Sequence, residues 1–160
     1  MMKRRVFLCL MAVILIIFSC VAFFSSCQSI KQTTLQINNE LDPKTLDASD
    51  IANEVVAPMY LPQELNGKQA NLSYEKTGLT AAIKADEVVL ASFIFSKIEG
   101  DEESKDYPSA AGEAYVSQDG DRVTIQYRMS ASWVCKITSD YISASELEKV
   151  LNSMTIRSVP

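Results

Sequence analysis

The chain has 160 residues, a formal net charge of −5 at pH 7, four cysteines and no histidine. This length allows one compact domain with a core, and the lack of histidine excludes imidazole-based catalytic triads and dyads. The acidic balance argues against nucleic-acid binding, because phosphate recognition requires a basic surface.

The N-terminus has the order of features that is typical of a signal peptide. Lys3, Arg4 and Arg5 precede an uncharged apolar run over 6–24, and small residues follow it. The positive charges favour an N-terminus that stays inside while the apolar run enters the membrane. This run is almost as long as the roughly 20 residues that a spanning helix needs, so an uncleaved anchor is the alternative.

The four residues Phe24-Ser25-Ser26-Cys27 resemble the lipobox of bacterial lipoproteins, although Phe24 stands where that family usually has Leu. The resemblance implies that residues 1–26 are a cleaved signal peptide and that the Cys27 thiol is acylated. It places the protein outside the cytoplasm, on the outer face of the cell membrane or on an outer membrane. A second candidate, at 17–20, would put the cut inside the apolar run. Acyl chains anchor stably because each buried CH₂ contributes about 0.8 kcal/mol.

The residues after Cys27 contain all 20 acidic residues but only 12 of the 15 basic ones, a formal charge of −8. That charge argues against adhesion to anionic headgroups, so we expect the lipid to provide the membrane attachment. Cys9 and Cys20 lie in the signal, which leaves Cys135 alone and excludes a disulfide framework. Lys136 falls on the opposite face of the same strand, so Cys135 is expected to be a buried apolar residue.

Polar residues dominate the segment after the signal. We predict a lipidated tether over 27–46 and a single domain over 47–160, with an edge strand around Leu35 and Ile37 as the alternative. A short helix is predicted over 49–56, with Asp47 or Ser49 as its cap.

Alternation of apolar residues predicts a meander of strands. The predicted strands are 69–76, 79–84, 88–95, 113–117, 122–129 and 133–138, with a final strand after 154 as an option. The nearly all-apolar run 88–95 predicts a strand covered on both faces, whereas 122–129 predicts one wet face that includes Arg122. Asp119-Gly120 predicts a hairpin turn before 122–129. A C-terminal helix is predicted over 143–154, because Ser143 and Glu146 have capping-box spacing before an apolar stripe. We therefore expect an α+β fold, an antiparallel sheet of about five to six strands with an N-terminal and a C-terminal helix on one side.

The stretch 62–156 resembles a family of extracytoplasmic domains of unknown function, found in bacterial lipoproteins and in membrane-bound anti-sigma-factor-like proteins. The resemblance rests on Tyr60-Leu61-Pro62, on the paired strands over 119–137 with Trp133 in the second, and on the closing helix over 141–154. It implies no catalytic residues. The family usually has a glycine-rich middle, which this chain replaces with an acidic loop over 99–112.

Other catalytic and metal patterns are weak. The five glycines are scattered, so no phosphate-binding loop is predicted. Carboxylates at Asp119, Asp121 and 101–103 suit calcium, but their spacing does not match an EF-hand loop and hydrated turns are expected. A hydrolase using carboxylates or a Ser–Lys pair is the least favoured alternative. We expect no metal and no cofactor.

The aromatic residues of the second half are the candidate binding surface. Because aromatics are enriched at interfaces, Tyr107, Tyr115, Trp133 and Tyr141 are predicted to contact a ligand or partner, with core packing as the alternative. The sequence thus predicts a non-catalytic lipoprotein that binds an envelope protein or a small ligand. The alternative is a sensory or assembly component of an envelope-stress or sporulation complex. A hollow, apolar wet face of the sheet would instead favour an acyl-chain carrier.

Overall fold

The computed structural model describes residues 32–52, 55–98 and 107–157. The predicted signal peptide, Cys27 and the carboxylates at 101–103 lie outside these residues. The strands are β1 (Thr33–Gln36), β2 (Val55–Pro58), β3 (Glu64–Leu65), β4 (Lys68–Gln69), β5 (Leu72–Thr77), β6 (Thr80–Ala85), β7 (Val88–Lys97), β8 (Glu113–Asp119), β9 (Arg122–Arg128), β10 (Trp133–Ser139) and β11 (Met154–Arg157). The helices are α1 (Ala48–Ala52) and α2 (Ala144–Asn152). In these ranges, neither helix has the length and apolar character needed to cross a membrane.

Seven strands form one antiparallel sheet in the order β1-β8-β9-β10-β7-β6-β5. Short hairpins join β5 to β6, β6 to β7, β8 to β9 and β9 to β10, as expected for a meander. The predicted turn at Asp119-Gly120 is confirmed, since Gly120 has a φ of 59° between β8 and β9. In β9, Val123, Ile125 and Tyr127 are buried while the residues between them are exposed or half-buried, which confirms the predicted alternation.

One face of the sheet carries the core. Leu147, Val150 and Leu151 of α2 are fully buried in the same cluster as Phe93 and Ile125 of the sheet. The antiparallel pair β2–β11 adds Val56 and Met154 to this cluster. The predicted start of the C-terminal helix is confirmed, because the Ser143 side chain accepts a hydrogen bond from the Glu146 backbone N–H.

The predicted α+β class, with N- and C-terminal helices on a five- to six-stranded sheet, is wrong. Of the described residues, 50% lie in strands and 12% in helices, so the protein is mainly β. Asp47 does cap α1, but this helix ends at Ala52, and Val55–Pro58 pairs with β11 as a strand. The reason is that Val55 and Val56 are β-branched and find a tertiary partner far along the chain.

The segment expected to be a tether contributes to the domain. β1 pairs with β8 and becomes the seventh strand of the sheet, which is the alternative considered for Leu35 and Ile37. Ile37, Leu41 and Leu46 are buried in the core cluster. The Asn39 amide also donates to the Tyr127 hydroxyl, at 2.9 Å. These contacts are long-range, so the local polar composition does not reveal them.

The prediction that both faces of β7 are covered is also wrong, since Val89 is 45% exposed and Ile94 is 48% exposed. A register shift lies in the pairing with β6: Ile83 pairs with Ala91 and Lys84 with Val89. Leu90 therefore has no partner on β6, and it is buried together with Ala91. A bulge of this kind interrupts the two-residue alternation of side chains. The residues before it therefore point to the face opposite the one that regular alternation predicts.

Candidate binding groove

The second face of the sheet is open and polar. Strand alternation places Thr124, Gln126, Lys136 and Thr138 on this face, opposite the core, and all four are exposed or half-buried. Neither helix contributes to it, because the buried stripe of α2 belongs to the core cluster. Among the described residues, the core fills one face of the sheet, whereas the open face carries polar side chains together with the half-exposed Val89 and Ile94.

Three clefts lie in a row, two on the open face and the third at the end of the sheet, and neighbouring clefts share lining residues. Their volumes are about 380, 310 and 330 Å³. The first and second clefts share Val89 and Ser92, and the second and third share Asp140 and Tyr141. We call them together the open-face groove. The side chains that line it include Glu75, Thr77, Thr80, Lys84, Val89, Ser92, Ile94, Arg122, Thr138, Asp140, Tyr141, Gln118, Asp121 and Asn66.

The floor of the first cleft is made by small residues. Ala82 of β6 lies opposite Ser92 of β7, and both line the cleft. Val89 and Ile94 stand on either side of Ser92 along β7 and are each about half exposed. The cleft exists because small side chains are flanked by larger ones. The bulge at Leu90 directs the Val89 side chain to the open face, where it lines the cleft.

A buried serine positions the exposed ring of Tyr141. The Ser139 hydroxyl donates to the Leu90 carbonyl at 2.7 Å. It also accepts hydrogen bonds from the backbone N–H groups of Tyr141, at 3.1 Å, and Ile142, at 2.8 Å. The Ile142 side chain is buried, whereas Tyr141 is 56% exposed. The turn after β10 is therefore held at three points, which keeps Tyr141 at the junction of two clefts.

Two ion pairs line the groove. Arg122 donates to Asp140 through Nε, at 2.8 Å, and through a terminal nitrogen, at 3.1 Å. These hydrogen bonds raise the pKa of Arg122 and lower the pKa of Asp140. Lys84 donates to Glu75 across the β5–β6 pair, and this hydrogen bond raises the pKa of Lys84.

The described residues of the groove are poorly suited to acid–base or metal chemistry. A lysine whose pKa is raised stays protonated, so Lys84 is poorly suited to activate Ser92 or Ser73 as a nucleophile. Cys135 is the free cysteine of the described chain; it is fully buried, and burial raises the pKa of its thiol. Its expected role as an apolar strand residue is confirmed. No group of three or more potential metal ligands occurs among the described residues.

The structure separates the four predicted aromatic contacts. Tyr141 lies in the groove, whereas Trp133 is 6% exposed and belongs to the core at the opposite end of β10. Tyr115 of β8 pairs with Gln126 on the open face, outside the three clefts. Tyr107 is half-buried, and the next residue, Pro108, accepts a hydrogen bond from Arg128. A role of the other three aromatics in binding stays a prediction.

Most residues of the groove did not stand out in the sequence. Arg122 is an exception, because the alternation of its strand predicts that its side chain lies on the solvent-facing side. Val89 and Ile94 belong to an apolar run that is typical of a buried strand. The partner of Asp140 is apparent only in the structure, where β9 pairs with β10.

Comparison with models of protein families, with curated proteins and with solved structures finds no match to this chain. The chemistry of the groove is therefore the basis for a functional hypothesis.

Proposed function

We propose that this chain is a non-catalytic lipoprotein, attached to a membrane through Cys27, whose domain binds a ligand or partner of the cell envelope in the open-face groove. The observation that supports this function most is the groove itself, which crosses a sheet face that neither helix covers. Val89, Ile94 and Tyr141 expose large apolar surface along it. Such surface on paired strands and a fixed turn is typical of a binding site.

The position of β1 bears on where the domain would act. Five residues, 28–32, separate Cys27 from the first residue of β1. The six residue steps from Cys27 to Thr33 span at most about 22 Å when fully extended. Acylation at Cys27 would therefore hold the domain close to the membrane surface, and its ligand would have to lie within reach of that surface.

The anchor is tested by metabolic labelling with an alkyne analogue of palmitate in the bacterial host. We expect labelling and membrane association of the unchanged protein and loss of both in Cys27→Ser. Cys20→Ser is the matched control, because Cys20 lies in the second lipobox-like sequence and should be dispensable. Unlabelled protein, or loss of the label only in Cys20→Ser, would reject acylation at Cys27.

The groove is tested separately by filling it. Ser92→Trp places a large side chain on the floor of the first cleft, while Gln126→Trp makes the same change on the open face outside the clefts. Because the lipid by itself holds the protein on the membrane, the readout is the amount of envelope component that a photoreactive cross-linker attaches to the lipidated protein in isolated cell envelopes. We expect Ser92→Trp to lower this cross-linked amount at least fivefold and Gln126→Trp to leave it unchanged. Equal cross-linking of the unchanged protein and Ser92→Trp would count against the groove.

A further inference from the structure

We infer that the open-face groove binds a neutral oligosaccharide chain. This inference rests on the binding function proposed above and adds the chemical class of the ligand. Four properties of the groove support it: its paired charges, its hydrogen-bonding groups, its one exposed aromatic ring and its length.

The charges of the groove are already neutralised within the protein. Among the described residues that line it, both cations have a carboxylate partner: Lys84 pairs with Glu75 and Arg122 with Asp140. An anionic ligand would have to displace one of these carboxylates, and Asp121 adds a further negative charge to the third cleft. For a cationic ligand, the lining offers one carboxylate outside these ion pairs, Asp121 in the third cleft. The groove therefore suits an uncharged ligand.

The hydrogen-bonding groups match a ligand that both donates and accepts. Thr77, Thr80, Ser92 and Thr138 provide hydroxyls along the first two clefts. Side-chain amides of Asn66 and Gln118 line the third cleft, and such amides also offer a donor and an acceptor. Sugar hydroxyls have the same dual capacity, so each can find a partner in either direction.

The groove runs across strands, and this direction disfavours an extended peptide. Backbone N–H and C=O groups of β6, β7 and β10 are committed to their neighbours in the sheet. A peptide gains most of its affinity for a sheet by pairing with a free strand edge, and the face of a sheet provides none. The backbone amides of a peptide bound on this face would find only side chains as hydrogen-bond partners. An oligosaccharide loses nothing by this, because proteins normally recognise it through side chains.

Tyr141 provides the apolar platform that a pyranose ring requires. One side of a pyranose presents C–H groups, and the face of an aromatic ring offers the complementary apolar, electron-rich surface. The ring is 56% exposed, and Ser139 holds its backbone in place. The planar Arg122–Asp140 pair lines the second cleft together with Tyr141. This arrangement of one ring beside planar polar groups fits a single sugar unit.

The length of the groove indicates several sugar units. It extends from β5 to β9, which are four strand spacings apart in the sheet order. At about 4.8 Å for each spacing, the groove is roughly 19 Å long. An oligosaccharide is therefore a better fit than a monosaccharide.

The test is calorimetric titration of the lipidated full chain in a zwitterionic detergent without a sugar headgroup. The probes are chitohexaose and maltohexaose, which are neutral glycans with β- and α-linkages, and an uncharged ten-residue peptide of Ser, Gly and Thr. We expect one of the hexasaccharides to bind and the peptide not to bind. Tyr141→Ala should weaken binding at least tenfold, and Ser92→Trp should abolish it. Gln126→Ala, a replacement on the same face outside the clefts, should change it less than twofold.

The outcomes separate this inference from the proposed function. Binding of the peptide in place of both glycans would overturn the inference. So would binding of neither glycan by a protein whose circular dichroism shows it folded. If Ser92→Trp then still reduces cross-linking to envelope components, the groove keeps its binding function and only the ligand class is rejected. If Ser92→Trp has no effect in either assay, both proposals fail. Glycan binding that survives Tyr141→Ala would also overturn the inference, because the ring would not be the platform.

Discussion

The hydroxyl of Ser139 is hydrogen-bonded to the backbone carbonyl of Leu90, and this contact joins two irregular features of the sheet. Leu90 is the residue of β7 that has no partner on β6, and Ser139 is the last residue of β10. The bulge at Leu90 exposes Val89, while the turn after Ser139 exposes Tyr141. One buried hydroxyl therefore links two positions that define the open-face groove.

Removal of that hydroxyl should destabilise the domain. Ser139→Ala leaves the Leu90 carbonyl and two backbone N–H groups without their partner, and unsatisfied buried groups cost about 1–3 kcal/mol. The free energy of unfolding, measured by urea titration, should fall by this amount. Ser73→Ala is the control, because Ser73 is exposed on β5, and its effect should stay within about 0.5 kcal/mol. Equal effects of the two variants would contradict the role given to Ser139.

The stability of the domain should decrease in alkali, and Tyr127 should contribute to the decrease. Burial raises the pKa of Tyr127 above its usual value of 10.0. Tyrosine in the unfolded chain ionises near pH 10, so its contribution to stability is complete below that pH and is lost progressively above it. Urea unfolding between pH 8 and 11 should show a shallower decline in Tyr127→Phe. At pH 7 this variant should cost about 1 kcal/mol through the lost hydrogen bond to Asn39. A slope in Tyr127→Phe equal to that of the unchanged protein would contradict this role of Tyr127.

The chain before α1 should be required for folding. A chain that begins at residue 47 lacks β1 and the buried side chains of Ile37, Leu41 and Leu46. Burial of such a side chain contributes about 1.5–3 kcal/mol, so the loss approaches the whole stability of a typical domain. We expect a chain over 32–160 to unfold cooperatively and a chain over 47–160 to show no cooperative transition in calorimetry. Cooperative unfolding of both with similar midpoints would assign 32–46 to a tether instead.

Lys76 should limit self-association at the β5 edge of the sheet. β5 is the last strand on its side, and Lys76 points from it toward the core, where its ammonium donates to the Ile51 and Gly78 carbonyls. A charge directed inward on an edge strand discourages the addition of another strand, because pairing would bury the charge more deeply. Lys76→Met should therefore increase concentration-dependent association in sedimentation velocity. Lys84→Met, on the internal strand β6, should leave the extent of association as it is in the unchanged protein. The same degree of association in both variants would reject this explanation.

Local patterns in the sequence determined several parts of this protein. The absence of histidine excludes imidazole-based triads and dyads, and the acidic balance argues against nucleic-acid binding. Alternation in β9 predicted which of its side chains are buried, because the side chains of a strand point to opposite faces in turn. In β10 the alternation missed Val134, which is buried between Trp133 and Cys135. The Asp119-Gly120 turn and the Ser143 cap were also visible, since each depends on residues that are neighbours in sequence.

Tertiary structure alone decided the fold class and the groove. Val55 and Val56 became a strand because β11 lies beside them, and β1 joined the sheet because β8 offered a free edge. The bulge at Leu90 reversed the expected burial of Val89, and the pairing of Arg122 with Asp140 followed from the register of β9 on β10. Each of these depends on which distant segments pair and in which register, and the periodicity of a single segment carries no information about its partner.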